Sequence, residues 1–498
     1  MTSPANISIL TTLSIDRSAT KDLYLQIVEQ LANAIQRGLL REGSKLPGSR
    51  SLSVLLKVHR QTVVAAFQEL ESQGWVQTYP NRGVFVLSSQ LADPARLQPE
   101  QIASPKQHYP SRVGFTFKKS NILDNPWTNT ISDFTMDDGV PDIRLTQINQ
   151  LSTFYSANLK RKSNRKKLER YTSEGSEYFK EQLCTYLHQS RGLRITEQNI
   201  LVTRSTEMSL YIISKVMLSP GDIVVVGSLS YFATNMILQE SGASMQTVPV
   251  DDNGLDTDSI RALCRKKQIR MVYVTSHHHY PTTVTLSAQR RVELLALARE
   301  FGFAIVEDDY DYEFRYDQQP ILPMASADTD GMVIYLGSFG KTLAPGFRTG
   351  FTVAPDDIIM EMRKYLGIID RQGDITMELA LGEMIAEGEI NRYAKKSLKM
   401  YEQRRAHLVN LLQNNFPQHV QFESPRGGLA VWTIWNRTIN LSQLATHCEK
   451  LGLHIPRNLL YQHKDMAGMR IGFGRMDEGE MSACIDRMQS ALHEMDRT

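Results

Sequence analysis

Apolar residues along the first ninety positions recur first at helical spacing and then in alternation. Ile27, Leu31, Ala34 and Ile35 share one face of a helix within residues 22–40, and Gly38 offers a stop. Gly43-Ser44-Lys45-Leu46-Pro47-Gly48 is turn chemistry, after which Ser49 is placed to cap a short helix carrying Arg50, Leu52, Leu55 and Leu56. A break near His59 leads into a third helical run, Gln61 to Leu70, closed by Gly74. Trp75–Tyr79, Pro80–Gly83 and Val84–Leu87 then read as strand, turn and strand. Three helices and a hairpin predict a winged helix-turn-helix over residues 21–88, behind a tail of residues 1–20.

Residues 89–132 lose this periodicity and carry Pro94, Pro99, Pro105, Pro110 and Pro126. They read as a partly extended linker that docks on the following domain near Phe115 and Trp127. From residue 133 the pattern becomes short apolar strands alternating with amphipathic helices. That alternation predicts an α/β domain over 133–498 with a central, mostly parallel sheet. Ile200–Val202, Ile223–Val226, Met271–Val274, Phe303–Val306 and Met332–Leu336 are its candidate strands. Long helices fill 355–415, and Gly427–Trp432 with Gly468–Phe473 mark a smaller α/β portion. The expected division is a large part at about 133–370 and a small part at about 371–498.

A length of 498 residues suits two domains, and 41% apolar with 22% charged residues describes a globular chain. The net charge of +2 gives no global argument for a polyanionic partner, so any such case rests on local placement. Between Lys21 and Leu87 there are eight Lys/Arg against five Asp/Glu, a mild excess. Arg50 and Arg60 stand near two helix starts, Thr62 lies on the third helix, and Arg82 and Gly83 form the wing tip. These are positions where contacts to phosphate and base edges of double-stranded DNA are expected. The run 160–167, Lys-Arg-Lys-Ser-Asn-Arg-Lys-Lys, reads either as a solvated loop or as an auxiliary contact to the DNA backbone. The apolar runs are too short for a membrane span, the start lacks a signal-peptide pattern, and Cys184, Cys264, Cys448 and Cys484 are scattered. A reducing cytoplasm is the expected location.

The stretch from Tyr335 to Gly350 concentrates the candidate chemistry. It holds Ser338, the single lysine Lys341, a Pro345-Gly346 break, and Arg348 seven residues beyond the lysine. A desolvated lysine can condense with an aldehyde, and a serine with an arginine fork can hold that aldehyde's phosphate. This is the pattern expected of a pyridoxal 5′-phosphate (PLP) lysine. PLP also needs a carboxylate facing its ring nitrogen, and Glu307-Asp308-Asp309-Tyr310-Asp311 follows an apolar strand about thirty residues upstream. Thr203-Arg204-Ser205-Thr206 lies between a strand and a helix start, where unpaired N–H groups cradle phosphate, so Ser205 and Thr206 are candidate donors. The three histidines His277, His278 and His279 lack an acidic or histidine partner at metal spacing, and no metal is expected.

With these motifs in place, the chain resembles the MocR-type regulators, GntR-superfamily transcription factors that carry a fold-type I, aspartate aminotransferase-like domain. The resemblance rests on Leu46–Leu52, Arg60–Val63 and Gly83–Val86 in the first domain. In the second it rests on Thr275–Thr282, Glu307–Asp311 and Ser338–Lys341, and it extends from about Leu23 to Met476. It implies that Lys341 carries PLP, Asp308 pairs with the pyridine nitrogen and Tyr310 bonds the phenolic oxygen. It further implies that His278 takes the place of the usual asparagine, Tyr231 stacks on the ring, and Ser338 and Arg348 hold phosphate. Arg470 resembles the arginine that grips a substrate α-carboxylate, with a surface salt bridge as its other reading. Gly48, Ser205, Gly227, Leu229 and Thr283 depart from the family pattern. The function implied is a homodimeric DNA-binding regulator that senses the vitamer, or an amine or amino acid by aldimine exchange. A working aminotransferase with an appended DNA-binding domain is the alternative, and a cofactor-free scaffold a third.

Overall fold

The computed structural model describes residues 13–17, 21–80, 82–87, 111–124, 132–169, 175–316, 321–343, 345–371 and 373–495. The chain divides into two compact units, residues 1–117 and 118–498.

In the first unit the helices Leu23–Gln36, Ser49–Leu56 and Arg60–Ser72 enclose one core with the antiparallel hairpin Val76–Tyr79 and Gly83–Val86. Leu31, Leu52, Val63, Ala66, Leu70 and Val76 lie at its centre, on the helix faces and the strand alternation read from the sequence. Two details differ from expectation. Gly48 is the N-cap and Ser49 the first helical residue. Within the expected tail, residues 13–17 are docked: Leu13 and Ile15 pack on the core, and the Gln26 side chain exchanges two hydrogen bonds with the Asp16 backbone.

In the second unit seven strands form the central sheet, in the order Ile200–Thr203, Gly350–Val353, Val333–Ser338, Ala304–Asp309, Ile269–Val274, Ile223–Gly227, Ser244–Val248. Gly350–Val353 runs antiparallel to both neighbours and the remaining pairs are parallel. Apolar layers cover both faces, which is why these strands read as continuous apolar runs. A four-stranded antiparallel sheet with the helices Leu441–Lys450 and Glu478–Met495 makes the smaller part.

The boundary between the two parts differs from the expected one at about residue 370. The helix Ile375–Ala386 packs in the layer of Phe179, Tyr335 and Phe339, so it belongs to the large part. Phe134–Thr135 instead pairs in parallel with Leu453–His454 and belongs with the small part. The expected 355–415 helical stretch is three helices, Asp356–Ile369, Ile375–Ala386 and Glu389–Asn415. In the expected linker, Trp127 lies outside the described residues and Phe115 is 71% exposed. The described docking contact there is made by the turn Asn121–Leu123 against the helix Phe232–Glu240, with Ser120 donating to Glu240.

Among the described residues no helix is long and apolar enough to cross a membrane, and no cluster of His, Cys, Asp and Glu could hold a metal ion.

Candidate functional site

Parallel strands deliver their carboxyl ends to one edge of the sheet, and the chemistry collects there. A cavity of about 330 Å³ is lined by Ser205 and Thr206 after the first strand and by Asp308 and Tyr310 at the end of Ala304–Asp309. Ser338, Lys341 and Arg348 around the next strand complete the predicted set, with Tyr231 on a further wall. Thus eight of the cofactor-binding candidates, Lys341 included, converge on one space.

Asp308 is 8% exposed. Its Oδ2 accepts a 2.6 Å hydrogen bond from the Tyr273 hydroxyl, while its buried Oδ1 has no hydrogen-bond partner among the described residues. Burial pushes this carboxyl up to about 7, opposed by the Tyr273 bond and helped by Glu207, Asp309 and Asp311 nearby. An orphaned carboxylate oxygen at a cavity wall awaits a donor.

The Lys341 ammonium donates to the Gly139 carbonyl at 2.8 Å and sits 4.9 Å from the Tyr310 ring centre. Tyr310 donates to the backbone carbonyl of His278 at 3.0 Å, and burial, reinforced by Asp311, holds its hydroxyl well above its usual range. Ser205 caps the helix Thr206–Met217 by accepting from the Met208 N–H. Gly350 lets its strand, Gly350–Val353, pass this turn, since a Cβ there would stand 2.9 Å from the Ser205 carbonyl carbon. Arg348 adopts a positive φ of 43° and makes no hydrogen bond or ion pair among the described residues, whereas neighbouring Arg204 is tied to Asp370 at 2.6 Å.

Two expected residues are elsewhere. His278 does not reach the cavity. Its Nδ1 lies 2.7 Å from Asp311 Oδ1, and its ring packs on Gly427, where a Cβ would be only 2.1 Å from Nε2. Tyr280, two residues on, lines the cavity instead. The strand ends at Val274 and residues 277–280 run through a bend and a turn, so the two-residue alternation of an extended segment does not carry from His278 to Tyr280.

Arg470 is 0% exposed and is absent from the cavity wall. It donates to the carbonyls of Asp138 (2.9 Å) and Pro281 (2.8 Å) and weakly to the Tyr310 hydroxyl (3.4 Å), under the Tyr280 ring at 4.7 Å. It therefore fits neither the carboxylate grip nor the surface salt bridge expected of it. Sequence reading also missed Asp138, Glu207, Tyr273, Thr275 and Tyr280 on the wall. The signal for Asp138 was its position beside Gly139-Val140-Pro141-Asp142, and for Glu207 its place in the first turn of a helix.

The remaining histidines are structural. His277 lies 2.9 Å from Asp309 and 2.8 Å from the Ile321 carbonyl, and Asp309 also accepts from Tyr335, which in turn accepts from buried Arg191. His279 meets Thr282, and burial, with Arg470 nearby, depresses its ring to about 3.

In the first unit Arg50, Arg60 and Arg82 are exposed and Thr62 is half-buried on the first turn of the third helix. Arg60 donates to Ser49, so the starts of the second and third helices are linked. Gly83 has φ +110°, and a Cβ there would press on the Lys45 side chain at 2.8 Å. Lys45, itself exposed beside the wing, is a cation that sequence reading did not single out.

Two family models match the chain: aminotransferase class I and II over residues 142–490, and bacterial regulatory proteins of the gntR family over residues 23–86. The chain is 26% identical to a Pyrococcus horikoshii kynurenine aminotransferase whose structure superposes with a TM-score of 0.67, covering 74% of this chain and 92% of that one. It is 24% identical to the Rhizobium meliloti protein named "Probable rhizopine catabolism regulatory protein MocR", over 96% of each chain. It is 25% identical to the transcriptional regulator TauR of Rhodobacter capsulatus, over 87% of this chain and 88% of that one. The fold and its site thus belong to the aminotransferase class I and II family, whose cofactor is PLP. With the gntR-type domain ahead of it, the chain is a helix-turn-helix transcriptional regulator of the MocR type.

The residues present fit that cofactor. The partnerless Asp308 oxygen suits a pyridinium N–H, and an unpaired arginine, two serines and a helix N-terminus suit a phosphate.

Proposed function

We propose that residues 21–88 read operator DNA and residues 133–498 form a PLP-binding body that senses an amine. The protein acts as a homodimer in the cytoplasm. When bound, the cofactor supplies an aldehyde that exchanges amines reversibly and a ring that withdraws electrons. Lys341 offers the amine that anchors it. Asp308 keeps a proton on the ring nitrogen, and Tyr310 orients the phenolic oxygen. Tyr231 supports the ring face. Ser205, Thr206, Ser338 and Arg348 hold the phosphate, with the guanidinium as a two-donor fork. In the first unit Arg50, Arg60, Thr62, Arg82 and Gly83 meet the duplex, the arginines at phosphates and the third helix at base edges. An effector changes DNA binding only as far as it binds the two states of the protein with different affinity.

The observation that carries this reading is the convergence of Lys341 and the partnerless Asp308 oxygen on one cavity. Reconstitution of the full chain with PLP is expected to give an absorbance band near the visible edge that Lys341→Ala abolishes. An amine effector is expected to move both that band and operator affinity in a mobility-shift assay. A Lys341→Ala protein that keeps the wild-type band, or an operator affinity indifferent to both PLP and amines, overturns the proposal. Steady turnover with an oxo acid would instead identify a working aminotransferase.

A further inference from the structure

Resting on the cofactor reading above, we propose that the effector is a diamine without a carboxylate, whose far ammonium group is received by Asp138, rather than an α-amino acid. Three observations carry this. First, the arginine available to grip an α-carboxylate is closed off. Arg470 is wholly buried, donates to two backbone carbonyls, and is overlaid by Tyr280, which itself forms the cavity wall.

Second, the charge on that wall favours a cation. Asp138, Glu207 and Asp308 line the cavity together with Arg204, Lys341 and Arg348. Arg204 is neutralised by Asp370. Lys341, Arg348 and Asp308 are assigned to the aldehyde, phosphate and ring nitrogen of the cofactor. Glu207 bonds the Tyr231 hydroxyl at a helix start, where an acid is favourable. Asp138 is left with one long hydrogen bond, from Tyr280 at 3.4 Å, and no ion pair among the described residues.

Third, tyrosine rings surround this space and already gather cations, Lys341 over Tyr310 and Arg470 over Tyr280, since tyrosine ring faces attract cations and not carboxylates. An effector carboxylate would meet Asp138 with no free guanidinium, while an ammonium would find an acceptor among aromatic rings.

Cadaverine and lysine test this directly, because lysine is cadaverine with an α-carboxylate; pentylamine lacks the second charge. With the PLP-loaded full chain, cadaverine is expected to shift the cofactor band at concentrations at least about tenfold below those needed for lysine or pentylamine, as expected for one partly desolvated charge pair. Asp138→Asn is expected to erase the advantage of cadaverine over pentylamine, and Asp138→Glu to retain it. If Asp138→Asn does not fold, the wild-type ratio and Asp138→Glu still decide. Lysine acting as well as cadaverine, neither compound moving an intact band, or Asp138→Asn keeping the preference would each overturn the inference. Absence of the band in wild-type protein would overturn the cofactor reading instead.

Discussion

Asp308 is a buried acid on the cavity wall, held away from its ordinary ionisation. Its carboxyl is raised to about 7 from the ordinary 3.8, first by burial. Between about pH 4 and about 7 the folded chain therefore keeps a proton that the unfolded chain has lost, so stability falls as pH rises through that window. Each such group contributes a slope of up to about 1.4 kcal/mol per pH unit. Glu378, also buried and pushed up to about 7, acts in the same direction. Denaturant unfolding of the cofactor-free protein is expected to show a shallower pH slope for Asp308→Asn than for wild type. Saturation with PLP should flatten the wild-type slope, because a pyridinium facing Asp308 favours its ionised form. Equal slopes for the two proteins would show that Asp308 does not carry this charge. The neighbouring Asp309 behaves oppositely: despite burial, His277 and Arg191 hold its carboxyl well below the usual range. Two adjacent acids thus differ because consecutive strand residues face opposite sides of the sheet.

Among the elements, the strand Val333–Ser338 links the core to the site. Tyr335 and Leu336 are fully buried, and the strand ends at Ser338 on the cavity wall. Gly337 sits one residue before that serine, opposite Phe351 on the antiparallel neighbour. A Cβ at Gly337 would stand 2.4 Å from the Phe351 ring. Gly337→Ala is therefore expected to cost about 1–3 kcal/mol in urea unfolding and to weaken PLP binding by displacing Ser338. A variant as stable as wild type would mean that the ring moves aside freely. The sequence shows a glycine at this place, but the aromatic ring that requires it comes from the adjoining strand.

At the scale of the whole molecule, each unit closes its own core. Leu31, Leu70 and Val76 pack in the core of the first unit, and the central sheet is covered by its own apolar layers. Leu70→Ala is expected to cost about 2–5 kcal/mol and to lower one thermal transition while the transition stabilised by PLP stays in place. A single transition shifted as a whole would mean that the units unfold together.

The pattern of apolar and polar positions by itself indicated the first unit's helices and hairpin and five of the seven strands of the central sheet, because it reports which sides of an element are buried, whereas the order of those strands in the sheet was not legible in it. The same local order singled out Lys341, Asp308, Ser338 and Arg348 as candidates, since strand ends and helix starts are written in short stretches of sequence, and the family resemblance added Tyr310. Tertiary structure alone decided which histidine-run neighbour faces the cavity, giving that place to Tyr280 and turning His278 to Asp311. It also closed Arg470 behind Tyr280 and set Asp138 on the cavity wall. These outcomes depend on the angle at which distant segments meet, and no spacing along the chain encodes it.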